Sequence, residues 1–397
     1  MSGVYKLGDV LETEIVKIIP NGLGLGFAEK LTLFVPLSVP GDKLKVEIAD
    51  LKGRTAFARI VEVLEPAENR TVPPCEYFGE CGGCDFQQMD YGSQMAAKVG
   101  IIRDCLRRIA GIEEEIEIHP VPSPEPLGYR IRTQVHADAH TRKIGFFRRQ
   151  SHDVIEAEHC PILDPDLDDA VREARKEFDW TANVEAIQNI EAAAAGSASS
   201  IYAEDVFEPV NELRFSAGGF DFSFNAQTFF QANRFMIEPL IEAVVGGVTG
   251  GLAFDLYCGI GLFSLPLARS FSEVVGVESD DEACHFAKKN AAKADLANVR
   301  FENQRVRDFL KQDAPLAGRP DVIVIDPPRS GVKKSSLERI IALESERITY
   351  VSCNPSTLAR DLRILLDAGY GIELFSALDL FPQTHHVEAV VRLRHAA

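Results

Sequence analysis

From Phe220 to the C-terminus, short β-branched runs alternate with helical stretches, and that alternation constrains the fold more than any other feature of the chain. Strands are expected at Ala253–Leu256, Glu273–Val277, Val299–Glu302, Val322–Ile325, Thr349–Ser352, Ile372–Phe375 and Glu388–Leu393, with helices filling most of the gaps. Such a pattern builds an α/β fold around a doubly wound parallel sheet. Open sheets of this kind take their ligands at the carboxyl ends of the strands. The residues just past each run are therefore the first place to look for chemistry.

The first 63 residues follow a different rule. Short β-rich runs at Leu11–Ile19, Gly24–Phe27, Leu31–Val35, Lys43–Ile48 and Ala56–Val63 are punctuated by Asn21-Gly22 and Pro40-Gly41-Asp42, combinations that favour turns. Five short strands predict a small closed barrel of the OB type, a common platform for single-stranded nucleic acid. A proline- and cysteine-rich connection follows at 64–85, then a helix over Tyr91–Ala110 that stops at Gly111. Residues 120–219 read as a mixed α+β region. Strands are expected there around Tyr129–Ala137, Lys143–Phe147 and Val154–Ile155, a helix about Leu167–Phe178, and an exposed loop over the small-residue stretch Glu191–Ser200.

Charge bears on the partner through its distribution. The net charge is −18, but residues 153–212 alone hold 16 acidic and 3 basic side chains. Tyr129–Arg149, in contrast, carries Arg130, Arg132, Arg142, Lys143, Arg148 and Arg149 against Asp138 alone. Polyanion affinity depends on local neutralisation of phosphates, so a basic hairpin beside an acidic shell is compatible with RNA. No apolar run of about 18 residues is present, and Met1–Asp9 has no basic-then-apolar export signal. A cytoplasmic protein with no membrane partner is expected, and the absence of a heptad seam or apolar patch favours a monomer.

In that compartment the eight cysteines stay reduced and serve as metal ligands, nucleophiles or packing residues. Cys75, Cys81 and Cys84 form Cys-x5-Cys-x2-Cys with Gly82-Gly83 inside it, and Cys160 follows far downstream. Four sulfurs suit tetrahedral zinc or a 4Fe–4S cluster, and spacing does not choose between them. Cys105 and Cys284 fall within helical stretches and are expected to pack.

At the sheet, Asp255-Leu256-Tyr257-Cys258-Gly259-Ile260-Gly261 closes the first strand and opens a helix. Its glycines allow a tight turn and a close backbone approach to a ligand. Ser264 stands where a dinucleotide fingerprint needs a third glycine. Glu278 ends the next strand at the place from which a carboxylate grips ribose hydroxyls, and Asp326-Pro327-Pro328 ends the fourth. With no phosphate-binding Gly-x-x-x-x-Gly-Lys in the chain, S-adenosylmethionine fits better than a nucleotide.

Cys353, in Ser352-Cys353-Asn354-Pro355, lies past the fifth strand, and Glu388 opens the last. Methyl transfer to a base amine usually places an aromatic residue after the prolines, where this chain has Arg329. A pyrimidine C5 is a poor nucleophile and needs a thiolate to add at C6, then a base to remove the C5 proton. Cys353 and Glu388 supply that pair, with Asp326 available to the ring. Enzymes acting on cytosine often carry a second cysteine where Arg329 stands, so uracil is favoured.

Taken together, Cys75/Cys81/Cys84/Cys160, Phe229-Phe230-Gln231-Ala232-Asn233, Asp255-Leu256-Tyr257-Cys258-Gly259, Asp326-Pro327-Pro328-Arg329, Ser352-Cys353-Asn354-Pro355 and His386-Val387-Glu388 resemble the RNA 5-methyluridine methyltransferases. The likeness is to the iron–sulfur branch with an N-terminal TRAM domain, and it spans nearly the whole chain. It implies three parts: a TRAM barrel at 1–63, an iron–sulfur RNA-binding region at 64–85 and 120–219, and a Rossmann-like methyltransferase domain at 86–119 and 220–397. It also implies that the Tyr91–Ala110 helix packs with that last domain. It implies a 4Fe–4S cluster on Cys75, Cys81, Cys84 and Cys160, and S-adenosylmethionine contacts from Gln231, Tyr257, Glu278, Asn303 and Asp326. Cys353 would be the nucleophile and Glu388 the proton acceptor. Leu262 replaces an asparagine often found after the second glycine, so no cofactor contact is expected there. The expected activity is methylation of C5 of a uridine in structured RNA, ribosomal RNA favoured over transfer RNA. Its rivals are a cytosine-C5 methyltransferase and an inactive iron–sulfur RNA-binding protein.

Overall fold

The computed structural model describes residues 5–181, 186–204, 206–207, 212–311 and 318–395. Strands β1 (Val10–Ile19), β2 (Leu23–Ala28), β3 (Leu31–Pro36), β4 (Lys43–Lys52) and β5 (Thr55–Glu65) close into a barrel in the order β1-β2-β3-β5-β4. Alternating residues point inward, so Ile15, Leu33, Val35, Leu44, Val46 and Ile48 form its core. The Pro40-Gly41-Asp42 turn has a structural task. Asp42 is fully buried and accepts from the amides of Val39 (2.7 Å) and Ala67 (3.0 Å) and from Arg70 Nε (3.0 Å). It thereby ties the barrel to the following connection.

Helix α1 (Tyr91–Cys105) starts at Asp90, whose side chain accepts from the Ser93 amide at 2.9 Å. One wider turn, Leu106–Ala110, ends at Gly111 with φ +68°. Strand β6 (His119–Val121) leads to the middle region. There β7 (Arg132–Asp138), β8 (Lys143–Phe147), β9 (Val154–Ile155), β10 (Ile187–Ala195) and β11 (Ala198–Tyr202) form an antiparallel sheet ordered β11-β10-β7-β8-β9. Helix α2 (Pro165–Glu177) lays Leu167 and Val171 on it.

Two expectations are corrected here. Glu191–Ser200 is not an exposed loop: it spans most of the β10–β11 hairpin, with Ala192, Ala193 and Ala194 buried. Alanine has little strand preference of its own. The strand is set by packing, with Ala192 and Ala194 against the α2 core and Ala193 against the core beneath the next sheet. The basic hairpin is also largely consumed within the chain. Arg132 pairs with Glu191 at 3.0 Å, Arg148 with Glu80 at 2.9 Å and Arg149 with Asp85 at 2.9 Å, whereas Arg142 and Lys143 stay exposed at the turn.

After the hairpin β12 (Leu213–Ala217) and β13 (Phe220–Phe224) comes the large sheet. Its elements are α3 (Ile237–Val245), β14 (Gly250–Leu256), α4 (Ser264–Ala268), β15 (Phe271–Glu278), α5 (Asp281–Lys293), β16 (Val299–Asn303), α6 (Val306–Phe309), β17 (Val322–Ile325), α7 (Lys334–Ala342), β18 (Arg347–Ser352), α8 (Pro355–Asp367), β19 (Tyr370–Leu378) and β20 (Glu388–His395). The strand order is β16-β15-β14-β17-β18-β20-β19-β6. The first five strands are parallel, but β20 runs antiparallel between β18 and β19. Only residues 379–387 separate β19 from β20. That is too short for a crossover helix and long enough for a return turn. Val322–Ile325 is buried at every position, as expected of a central strand covered on both faces.

Helix α1 packs on one face of this sheet, its Met95, Val99 and Ile102 joining Ile323, Ile348 and Tyr350 in one core. Lys98 on the same helix is fully buried, and its ammonium lies 2.5 Å from the equally buried Asp379 and 3.0 Å from the Phe381 carbonyl. Removing one member of a buried ion pair leaves an uncompensated charge. Lys98→Met is expected to lower unfolding stability by about 3–5 kcal/mol in urea denaturation, and a negligible change would show that the pair does not hold α1 to the sheet.

Candidate active site

Strand pairing delivers the predicted residues to one edge. The parallel registers align Leu256 with Val277 and with Ile325, and Ile325 with Tyr350. Tyr257, Glu278, Asp326 and Cys353 all lie just beyond these pairs. Strand β20 enters from the opposite direction, pairing Val351 with Val390 and Ser352 with Ala389. One step further along the same register, Glu388 comes opposite Cys353. The thiol is half-buried and Glu388 is 5% exposed.

The loop after Cys353 is fixed by helix capping. Asn354 Oδ1 accepts from the Ser356 amide at 3.0 Å, and Pro355 occupies the first turn of α8. Asn354 Nδ2 and Thr357 Oγ1 both donate to the Arg329 carbonyl, at 3.3 and 3.2 Å. The loops after β17 and β18 are thus bound together, and the backbone of Arg329 is fixed beside Asn354.

Electrostatics confirm that these groups feel one another. Burial pushes the Cys353 thiol up to about 11; Glu388 adds to the rise, the Arg329 cation opposes it, and Asp326 raises it further. Glu388 is held well above the ordinary carboxylate range, by burial first and then by Asp326, again against Arg329. Asp326 is pushed up to about 7 by burial, Asp255 and Glu278. Asp255 likewise rises to about 7 through burial, although Ser264 Oγ donates to its Oδ2 at 2.5 Å. Arg329 is the cation in this set. From the sequence alone, Arg329 serves only to discriminate between chemistries.

At the glycine turn, Tyr257 adopts φ +67°, an uncommon conformation for a residue with a side chain. Glu278 accepts from the Gly259 amide at 3.0 Å and from the Asp280 amide at 2.8 Å, so it braces the turn. Asn303 pairs with Glu278 in register but is exposed, and its amide donates to Asp281 at 2.7 Å. Gln231 arrives on a separate segment. It is buried beside Asn233, whose Nδ2 reaches Ser123 Oγ at 3.1 Å. Cys258 turns its sulfur toward Gly276, where a Cβ would come within 3.0 Å. Cys105 and Cys284 are buried on their helices.

The other four cysteines meet away from this edge. Cys75, Cys81, Cys84 and Cys160 line one cavity of about 260 Å³ together with Phe147, His159 and Arg130. Cys84 and Cys160 are each pushed up to about 12, chiefly by burial, with the neighbouring thiols adding to the rise. No three His, Cys, Asp or Glu side chains among the described residues are grouped closely enough to hold a metal ion as they stand. Tetrahedral zinc, with bonds of about 2.3 Å, would need its sulfurs about 3.8 Å apart. Four thiols on one cavity are a donor set that either a single zinc ion or a polynuclear centre could use once the sulfurs draw together.

Comparison with known proteins places the chain in a family. A family model described as tRNA (Uracil-5-)-methyltransferase matches residues 164–396, more than half of the chain. An uncharacterized RNA methyltransferase of Synechocystis is 31% identical over 99% of this chain and 97% of its own. The 23S rRNA (uracil(1939)-C(5))-methyltransferase RlmD of Vibrio parahaemolyticus is 29% identical over 95% of this chain and 94% of its own. Among solved structures, the Pyrococcus abyssi tRNA (uracil-54, C5)-methyltransferase in complex with S-adenosyl-L-homocysteine superposes with a TM-score of 0.73 at 24% identity, covering 96% of this chain and all of that one. That likeness establishes the shared fold.

A thiol whose rise is opposed by a cation should respond when the cation is removed. Arg329→Gln is expected to slow iodoacetamide alkylation of Cys353 by about 3- to 10-fold at fixed alkaline pH, read by mass spectrometry of the Cys353 peptide. Glu388→Gln should act in the opposite direction above the Glu388 titration, and equal rates in all three proteins would exclude the coupling.

Proposed function

This chain belongs to the RNA uracil-C5 methyltransferase family, whose members use S-adenosylmethionine, and from that premise we propose that Cys353 and Glu388 carry out the reaction through a covalent Cys353–C6 adduct on a uridine of ribosomal RNA. The proposal is supported by the register of β18 and β20, which extended by one pair brings Glu388 opposite Cys353, and by the opposing pull of the Arg329 charge on both groups.

S-adenosylmethionine supplies an electrophilic methyl group when bound. The turn at Tyr257–Gly261, with Glu278 bracing it and Asp326 beside it, is the place for that ligand, with Gln231 and Asn303 as further contacts. The chain's own residues then act on the base. Cys353 adds to C6 as a thiolate, favoured by the Arg329 cation, and this makes C5 electron-rich. After methylation, Glu388 takes the C5 proton and the C6–S bond breaks. A carboxylate with a raised pKa is a stronger base than an ordinary one, and Arg329 keeps its charged form accessible. The target ring must leave its stack to reach this edge.

Cys353→Ala should reduce methyl transfer by at least about 10³-fold with RNA affinity kept. On 5-fluorouridine RNA the wild-type protein should form an adduct stable to denaturant, mapped to Cys353. Glu388→Gln should accumulate the same linkage on ordinary RNA. An active Cys353→Ala enzyme would refute the covalent route. Nucleoside analysis of ribosomal and transfer RNA from cells with and without the gene identifies the substrate. 5-Methylcytidine in place of 5-methyluridine would overturn the uracil assignment, and a change confined to transfer RNA would overturn the ribosomal one.

We further propose a 4Fe–4S cluster on Cys75, Cys81, Cys84 and Cys160. It would lower the mutual repulsion of four thiolates in one cavity and join the connection at 64–85 to the middle sheet. Anaerobically purified protein is expected to contain about four iron atoms per chain, lost in Cys84→Ser; one zinc per chain would exclude the cluster.

A further inference from the structure

Glu388 follows a loop that the sheet alone does not hold. Residues 379–387 are gripped from outside: Lys98 Nζ donates to the Phe381 carbonyl, the Tyr129 hydroxyl to that of Pro382, and the amides of Asp85 and Phe86 to that of Gln383, all at 3.0 Å. Gln383 sits at φ +68°, a conformation that persists for such a residue only when its surroundings impose it. Gln94 imposes it with two bonds of 3.0 Å, one to the Gln383 amide nitrogen of the backbone and one to its side chain.

Asp85 completes the grip. One of its oxygens lies 2.6 Å from His385 Nδ1 while the other accepts from Arg149 at 2.9 Å. Asp85 directly follows Cys84, and Arg149 also donates to the Cys84 carbonyl. The barrel reaches the same point, since a Cβ on Gly22 would come within 2.9 Å of His385. A short chain of bonds therefore runs from the cysteine loop through Asp85 to His385, three residues ahead of Glu388.

We infer that Asp85 and His385 are positioning residues for the proton-abstraction step, making breakdown of the RNA adduct depend on the cysteine-bearing loop. The inference rests on the reading of Glu388 as proton acceptor. In that step the C5 proton moves to the Glu388 carboxylate, the C5–H electron pair becomes the C5=C6 double bond, and the C6–S pair returns to Cys353. Formation of the adduct uses Cys353, just past β18, and does not need the loop. A displacement of the acceptor by about 1 Å costs on the order of 10²-fold, so the two halves of the reaction should separate.

The test uses full-length holoenzyme, RNA carrying tritium at uridine C5, and S-adenosylmethionine with a labelled methyl group. Asp85→Ala and His385→Gln are expected to methylate the adduct at the wild-type rate but release tritium about 10- to 100-fold more slowly. A methyl-labelled protein–RNA complex stable to denaturant should then accumulate on ordinary uridine, with KM for RNA unchanged. Asp85→Asn, which can still hydrogen-bond the His385 ring, should restore part of the release. If Asp85→Ala fails to fold, His385→Gln decides. Methylation and tritium release that slow in proportion, or not at all, overturn the inference. Glu388→Gln run alongside separates the failures. If it does not trap the complex, the reading of Glu388 falls. If it traps the complex while His385→Gln behaves as wild type, only the positioning role falls.

Discussion

The antiparallel pairing of β18 with β20 is the constraint on which the rest of the candidate site depends. Six consecutive pairs, from Arg347 with Arg394 to Ser352 with Ala389, fix the register. Side chains alternate along a strand, so a slip of one residue would turn Glu388 to the other face and bury polar groups among valines. The buried residues leave no such freedom, since Val351 and Val390 face one core and Tyr350 and Val391 the other. Fold stability and the meeting of thiol and acid therefore have a single origin. The same edge receives Asp255, Glu278 and Asp326 from the parallel strands, so the acids come from the sheet while Arg329 comes from a loop tied down by Asn354 and Thr357.

That edge is completed by segments far away in sequence. Helix α1 contributes Lys98 and Gln94, the connection ahead of it Asp85, the middle region Tyr129, and the segment between β13 and α3 Asn233. Each bonds to the turn between β19 and β20 or to the end of β19. Buried polar groups are costly unless paired, so these contacts reward only one arrangement of the three regions. The position of α1 ahead of the middle region follows from this: the helix covers one face of the sheet, and the Arg363 guanidinium of α8 caps the Ala110 carbonyl at its far end at 3.0 Å.

Much of this was legible in the sequence, and what was missed has physical reasons. Period-two runs gave the barrel strands and continuous apolar runs gave the central sheet, because burial on one or both faces writes those patterns directly. Strand-end residues such as Cys353, Asp326 and Glu278 could be placed because a parallel sheet has one functional edge. The strand run of β20 carries no mark of polarity, and only the short connection from β19 points to its antiparallel direction. The β10–β11 hairpin was hidden because alanines declare neither strand nor loop. The basic hairpin looked free because Glu191 and Glu80, its partners, are distant in the chain. The Asp85–His385 contact joins residues 300 positions apart, and no local sequence pattern marks a pairing over such a distance.

The balance of charge at the edge also says how a polyanion can use it. Burial holds Asp255, Asp326 and Glu388 above the ordinary carboxylate range, with the Glu278 charge adding to the rise of Asp255 and Asp326, Asp255 to that of Asp326, and Asp326 to that of Glu388. Such a set welcomes a cationic ligand and repels phosphate. An RNA backbone therefore has no reason to enter, whereas an uncharged base does, and an extruded uracil is such a group. Exposed Arg329 stands at the rim, and Arg142 and Lys143 lie at an exposed turn elsewhere. These are places where phosphates gain rather than lose by approach. The overall negative charge is then no obstacle to RNA binding. At the edge itself, the acids favour an uncharged group over a phosphate.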